Sequence, residues 1–186
     1  RMLDLRPFAS GNNAALYLAD LADGGRLVVK SATRGDARLL LEAWMLNYIA
    51  EKSHLPVPRV ISASKDLLLM NFVPHAASFD GAAQEDAAQH LARLHLVKAA
   101  SYGLDRPTQI GTLEQLNDEN GDWIAFFRER RLLPMAWLAH QEGAIDGKLL
   151  AQIEKVAAQL DLYITEPAPP SLIHGDVWAG NVLTMG

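Results

Sequence analysis

Apolar runs of strand length crowd the first 75 residues, and helical spacing takes over after residue 80. That shift limits the architecture more than any other feature. Ala14-Ala15-Leu16-Tyr17-Leu18 and Arg26-Leu27-Val28-Val29-Lys30 flank Asp23-Gly24-Gly25, and an Asp-Gly pair supplies the positive φ angles of a tight hairpin. Arg59–Ser62 and Leu67–Phe72 are two further strand candidates, separated by the polar turn Ser64-Lys65-Asp66. Between the pairs, Leu40, Ala43, Trp44, Leu46 and Ala50 predict a helix from about Ala37 to Lys52, capped by Asp36. Pro56 and Pro58 stop it, and Pro74 closes the strand-rich part. Beyond it, Ala87, His90, Leu91, Leu94 and Val97 predict a helix over Asp86–Ala99 that ends near Gly103. Asp122–Ala139 and Asp146–Tyr163 read as two more capped helices, and Glu166-Pro167-Ala168-Pro169-Pro170 ends the last. The expected fold is α+β: a small antiparallel sheet plus helix over residues 1–74, then a mostly helical lobe over 75–186.

Composition narrows the function classes. The 186 residues suit one domain or two small lobes, and a domain of about 150 residues hides roughly two-thirds of its unfolded surface. Seventeen Lys and Arg against 22 Asp and Glu leave a formal charge of −5, which offers no electrostatic attraction to nucleic acid or an anionic membrane. With no cysteine, disulfides, thiol nucleophiles and Cys-ligated zinc are excluded. Arg1–Arg6 contain no apolar signal core, and no run approaches the ~18 apolar residues of a membrane span. A soluble, cytoplasmic protein is expected. Arg1 precedes Met2, as in a tag remnant or a start inside a longer chain, and Asn181–Gly186 stop in an apolar stretch. An incomplete chain is therefore expected.

The sharpest chemical feature is His174-Gly175-Asp176-Val177-Trp178-Ala179-Gly180-Asn181. It has the form His-x-Asp-x-x-x-x-Asn, the spacing of a kinase catalytic loop. An Asp suits the point where an attacking hydroxyl loses its proton. An Asn five residues on, across a tight loop, can return an amide oxygen to the same place as a Mg²⁺ ligand, and Gly180 lets the backbone bend closely. An incidental surface loop would also use Asp and Asn, since both favour turns. Lys30 ends an apolar strand, where an ammonium needs a negative partner or solvent. Glu42, in the apolar helical run Leu39–Leu46, is the candidate partner. Singly, Lys30 reads equally well as an edge-strand solubiliser and Glu42 as a solvent-facing helix residue; their order before the His-x-Asp loop favours a joint role on ATP phosphates. Ser10-Gly11-Asn12-Asn13 stands where a phosphate-covering loop should, with one Gly only. In Leu69–Pro74 an adenine could bond backbone groups near Asn71 and Val73, with Met70 and Phe72 as apolar walls. A buried strand running into a linker needs the same residues. Of the six histidines, only His174 has a motif context.

Lys30, Glu42, the Leu69–Pro74 connector, Leu91-Ala92-Arg93-Leu94-His95 and the His174–Asn181 loop, in that order, resemble the aminoglycoside-phosphotransferase and choline-kinase group of small-molecule kinases. Within it, the chain is most similar to the fructosamine (ketosamine-3-) kinase family. Tyr102-Gly103-Leu104, Ile110-Gly111, Gln115-x-Asn117, Trp123-Ile124-Ala125-Phe126-Phe127, Arg131-Leu132, and Trp178 and Gly180 in the loop carry that likeness. The resemblance covers nearly the whole chain. It implies a protein-kinase-like bilobal fold and ATP- and Mg²⁺-dependent phosphorylation of the sugar 3-hydroxyl of ketosamines on amines or proteins. Asp176 would be the base, Asn181 a metal ligand, Lys30 the phosphate anchor and Glu42 its support. Phosphorylation there destabilises the adduct, which ties the family to deglycation.

One feature departs from the family pattern. Such kinases take a second metal ligand from an Asp on the strand after the catalytic loop, whereas here Asp176 is the last Asp and five residues follow Asn181. Mg²⁺ demands near-octahedral oxygen coordination, so the 186 residues alone are expected to be inactive and the native chain to continue. The alternatives are a kinase of an aminoglycoside, choline or another sugar, or an inactive substrate-binding pseudokinase.

Overall fold

The computed structural model describes residues 1–10, 14–32, 38–75, 79–111, 113–165 and 169–184. A five-stranded antiparallel sheet comprises β1 (Met2–Ser10), β2 (Ala14–Leu21), β3 (Arg26–Ala32), β4 (Val60–Ala63) and β5 (Leu67–Asn71), in the order β1-β2-β3-β5-β4. The expected hairpin joins β2 to β3: Gly24 takes a φ of +82° and the Gly25 N–H donates to Asp23 Oδ1 at 2.9 Å. β1 has no counterpart among the sequence expectations. Asp4, Arg6 and Pro7 interrupt its apolar alternation, and its register with β2 slips at Met2/Asp4 and at Pro7/Ala9. An edge strand tolerates such residues because one of its sides needs no ladder partner.

Helix α1 (Arg38–Lys52) packs on one face of this sheet; Asp36 and Ala37, its expected cap and first residue, lie outside the described residues. Residues opposed in a ladder share a face, so Val28 with Met70, and Lys30 with Leu68, point the same way. That face holds the core. Leu39 and Ala43 of α1 meet Leu68 and Met70, with Val28, Ala32, Leu46, Val60 and Ala63 packed around them. Leu68 is fully buried, and burying such a side chain contributes about 1.5–3 kcal/mol. Lys30 therefore leaves the middle strand toward an apolar, helix-covered face.

Helix α2 (Gly81–Leu94) starts earlier than the expected Asp86, because Asp80 caps it, accepting the Ala83 N–H at 3.0 Å. It also stops short of Ala99. The Leu96 and Val97 N–H groups tighten to carbonyls three residues back, and Lys98 bridges to Ser171 instead. A short hairpin, β6 (Thr108–Ile110) with β7 (Leu113–Gln115), follows. Asp122 caps α3 (Trp123–Phe127) through the Ala125 N–H at 2.8 Å. The single helix expected to Ala139 is divided by a π turn at Arg128–Leu132 before α4 (Leu133–Gln141). Asp146 caps α5 (Gly147–Ala157), which gives way to a separate 3₁₀ turn at Leu160–Leu162. No helix among the described residues is long and apolar enough to cross a membrane.

The chain divides into two compact units, Arg1–Val97 with Ile173–Gly186, and Lys98–Leu172. The unit that holds the sheet also takes in α2 and the His174 loop.

Candidate active site

Lys30 and Glu42 meet on the helix-covered face of the sheet. Lys30 Nζ donates to Glu42 Oε2 at 2.7 Å and to Oε1 at 2.9 Å, and each side chain is only about a quarter exposed, at 25% and 23%. Two local rules produce the pair. Lys30 shares its face with buried Leu68, and Glu42 lies three residues from Leu39 and four from Leu46, so the helix turns it to the same side. An edge-strand solubiliser does not describe Lys30, because β3 is the central strand. An ammonium carries three donors, so the two-pronged hold fixes its position and leaves it able to receive an oxyanion.

The His174–Asn181 segment folds back on itself. Gly175 takes a φ of +86°, and the Asp176 N–H donates to His174 Nδ1 at 3.3 Å. Ala179–Asn181 form one 3₁₀ turn, which returns Asn181 to Asp176: its Nδ2 donates to the Asp176 backbone oxygen and to Oδ2, both at 2.9 Å. Among the described residues, Asp176 Oδ1 and Asn181 Oδ1 have no hydrogen-bond donor, so two hard oxygens remain on one exposed loop. That donor type fits Mg²⁺, which takes few protein ligands and completes its shell with waters and phosphates. No cluster of three His, Asp or Glu side chains able to hold a metal by themselves occurs among the described residues. Gly180 has a specific reason to lack a side chain: a Cβ there would come within 2.3–2.7 Å of the Trp178 indole. That ring is exposed, on the residue two positions after Asp176.

Of the four connector candidates, the structure separates Met70 and Asn71 from Phe72 and Val73. Met70 is buried in the core beneath α1. The Asn71 N–H bonds Arg59 O at 3.1 Å and its Oδ1 accepts the Arg59 N–H, so both are committed to the β4 side. The Phe72 N–H bonds Arg26 O at 3.2 Å, while the Val73 N–H has no acceptor among the described residues. Sequence reasoning missed the surroundings of Phe72. Phe8 of β1 and His75 lie edge-on or tilted to it at 6.1 and 6.0 Å between ring centroids, and the Arg26 guanidinium sits 4.9 Å from its centroid. The only sequence hint was an aromatic on an edge strand of mixed pattern. Gly11, Asn12 and Asn13 of the proposed phosphate-covering loop lie outside the described residues.

Lys30, Glu42, Phe72, Val73, Asp176 and Asn181 all belong to the unit Arg1–Val97 with Ile173–Gly186. The other unit gathers the remaining motif positions: Tyr102 packs against Trp123 and Phe126 at 5.2 and 6.4 Å, and Arg131 donates to Asn117 Oδ1 at 2.6 Å.

An antiparallel sheet with a lysine–glutamate pair, joined to helices and a returning Asp–Asn loop, has the fold of the small-molecule phosphotransferases. A macrolide 2'-phosphotransferase type I superposes on it with a TM-score of 0.63 over 96% of this chain and 60% of that one, at 19% identity. The likeness narrows further. The fructosamine kinase family profile matches residues 9–185, and the chain belongs to that family. A Thermobifida fusca structure, provisionally described as a fructosamine-3-kinase, superposes with a TM-score of 0.88 at 32% identity, over 99% of this chain and 65% of that one. A Vibrio vulnificus protein described as a probable ketoamine kinase is 30% identical over 151 residues, 78% of this chain and 51% of that protein. The chloroplastic protein-ribulosamine 3-kinase of Arabidopsis thaliana is 29% identical over 171 residues, 86% of this chain and 51% of that protein. The chain thus spans about half the length of the curated relatives it matches.

Proposed function

We propose that this chain carries the nucleotide-binding and catalytic-loop parts of an ATP-dependent kinase that phosphorylates the 3-hydroxyl of ketosamines, on small amines or on glycated proteins. Residues 1–74 would form the nucleotide lobe and 75–186 the lobe bearing the loop, in the cytoplasm. The observation that carries the reading is the return of Asn181 onto Asp176, which leaves one carboxylate oxygen and one amide oxygen without a donor among the described residues, on a loop of eight residues from His174.

In this reading Asp176 Oδ1 accepts the proton of the sugar hydroxyl as that oxygen forms its bond to the γ-phosphorus. The bond from γ-phosphorus to the β,γ-bridging oxygen breaks, and ADP leaves. Lys30, held by Glu42, binds the α- and β-phosphates. The Val73 N–H and Phe72 receive the adenine. Asn181 Oδ1 would hold Mg²⁺, which when bound offsets the charge of the transferring phosphoryl group. The exposed Trp178 indole offers a flat apolar surface for the C–H face of the sugar ring.

The test uses the complete gene product with ATP and Mg²⁺. ADP release is followed with fructosyl-lysine, ribulosyl-lysine, an aminoglycoside set and choline. Turnover of the two ketosamines, with a 3-phosphate seen by ³¹P NMR, is expected. Asp176→Asn should lower kcat by roughly 10²–10⁴-fold. Turnover of aminoglycosides alone, or an Asp176→Asn variant with undiminished kcat, would overturn the proposal.

A further inference from the structure

Folded chains seldom leave the backbone polar groups of a half-buried segment idle. Along the connector Asn71–Val73 most of them have partners. The Asn71 N–H donates to Arg59 O at 3.1 Å, and the Phe72 N–H to Arg26 O at 3.2 Å. The Phe72 carbonyl accepts from Asn71 Nδ2 at 3.4 Å. The Val73 carbonyl faces His75 Nδ1 at 3.0 Å, and a carbonyl only accepts, so that nitrogen carries the proton. Among the described residues the Asn71 carbonyl and the Val73 N–H have no partner.

The idle carbonyl is a consequence of its own side chain. Asn71 opposes Leu27 while the Phe72 N–H bonds Arg26, so the alternation of an antiparallel ladder turns the Asn71 backbone groups away from β3. On the other side, the register Val60↔Met70 places Arg59 opposite Asn71. A hydrogen-bonded antiparallel pair exchanges two backbone bonds, yet only the one from the Asn71 N–H is made. The Arg59 N–H donates instead to Asn71 Oδ1. Because an N–H can only donate, the amide must set its oxygen on Arg59 and its nitrogen on Phe72. The side-chain amide thus replaces its own backbone carbonyl in the β4–β5 ladder. Val73 precedes Pro74 and is held to extended conformations, and in an extended chain a carbonyl and the N–H two residues on face the same side.

We propose that Asn71 is a positioning residue whose side chain releases the Asn71 carbonyl from β4, so that the connector offers an acceptor and then a donor to a 6-aminopurine. Adenine matches that order, with an amino donor beside an unprotonated ring nitrogen. Guanine presents a carbonyl beside an N–H, the reverse. This role rests on the nucleotide site proposed above. An apolar side chain of similar size would return the Arg59 N–H to the Asn71 carbonyl. The amino group would then lose its acceptor, while Lys30 and its phosphates would be untouched.

The test pairs a variant with a nucleotide that lacks the amino group, using the complete gene product and fructosyl-lysine. In the unmodified enzyme, purine riboside triphosphate should show a KM about threefold to tenfold above that of ATP at similar kcat, the worth of one hydrogen bond. In Asn71→Leu the KM for ATP should rise by that factor, and the two nucleotides should no longer differ. Asn71→Asp, whose carboxylate still accepts the Arg59 N–H, should go on distinguishing them. Equal KM values in the unmodified enzyme, undiminished discrimination in Asn71→Leu, or its loss in Asn71→Asp would each overturn the role of Asn71. The analogue arm needs no variant, so it decides even where Asn71→Leu folds poorly. Should one of those results appear while Lys30→Met still raises the KM for ATP, the nucleotide site stands and the Asn71 role alone falls. Absence of ATP turnover in the unmodified enzyme would overturn both.

Discussion

Glu42→Gln is the most informative single perturbation. It keeps length and one oxygen acceptor for Lys30 while removing the charge. Two unit charges about 3 Å apart attract by about 5 kcal/mol at an effective dielectric constant of 20, and desolvating both ions returns much of that. Exposed pairs net about 0–1 kcal/mol, and breaking a fully buried pair costs about 3–5 kcal/mol. With both partners three-quarters buried and two short hydrogen bonds between them, a loss of about 1.5–2.5 kcal/mol follows. For a chain of this size that lowers Tm by about 3–10 °C. Lys30→Met should cost a similar amount, because it strands the Glu42 carboxylate on an apolar face. The double variant should recover part of the loss, since neither charge remains and a methionine suits the neighbourhood of Leu39 and Leu68; a coupling of about 1–2 kcal/mol is expected. Thermal denaturation by circular dichroism measures the cycle. On the complete gene product, the KM for ATP should rise about tenfold in Glu42→Gln and further in Lys30→Met, as a loosened phosphate anchor requires. Strictly additive single-variant losses, together with an unaltered ATP KM in Glu42→Gln, would refute the reasoning.

Two glycines give sharper steric tests. A Cβ at Gly103 would stand 2.4 Å from Asn117 O and 3.1 Å from Glu119 Cα, both backbone, at a φ of +114°. Gly103→Ala should therefore cost about 2–5 kcal/mol in a denaturant titration. Gly81→Ala, at an open first helical position, should be neutral or gain up to about 1 kcal/mol; equal losses at both sites would remove the steric argument. Gly180→Ala should displace the indole of Trp178, which is free to swing because it is exposed. A lower kcat/KM for ketosamine with the ATP KM and Tm held is the expected pattern, and an unchanged kcat/KM would show that the ring's placement against Gly180 has no part in turnover.

Local rules made much of the molecule legible beforehand. The β2–β3 hairpin follows from Asp23-Gly24, the starts of α3 and α5 from Asp122 and Asp146, and the core face of α1 from its periodicity, because turn angles, caps and amphipathic spacing act over four or five residues. The same reach explains the loop: Gly175 and Gly180 permit Asn181 to come back to Asp176 within one short segment. Lys30 and Glu42 were recognisable as a pair by type and order, but the central position of β3, which makes the lysine a buried one, arises from β5 pairing with β3 across some forty residues.

What the amino-acid order alone determined was the set of elements, the residues able to bear charge chemistry, and the family they resemble. Tertiary structure decided which of them share a surface. It committed Met70 to the core and Asn71 to Arg59, brought Phe8 against Phe72, admitted an irregular β1 as an edge, and set Arg131 on Asn117. The physical reason is range: a cap or a turn is stabilised by its own neighbours, whereas burial, edge pairing and buried polar networks depend on groups that only the folded chain brings together.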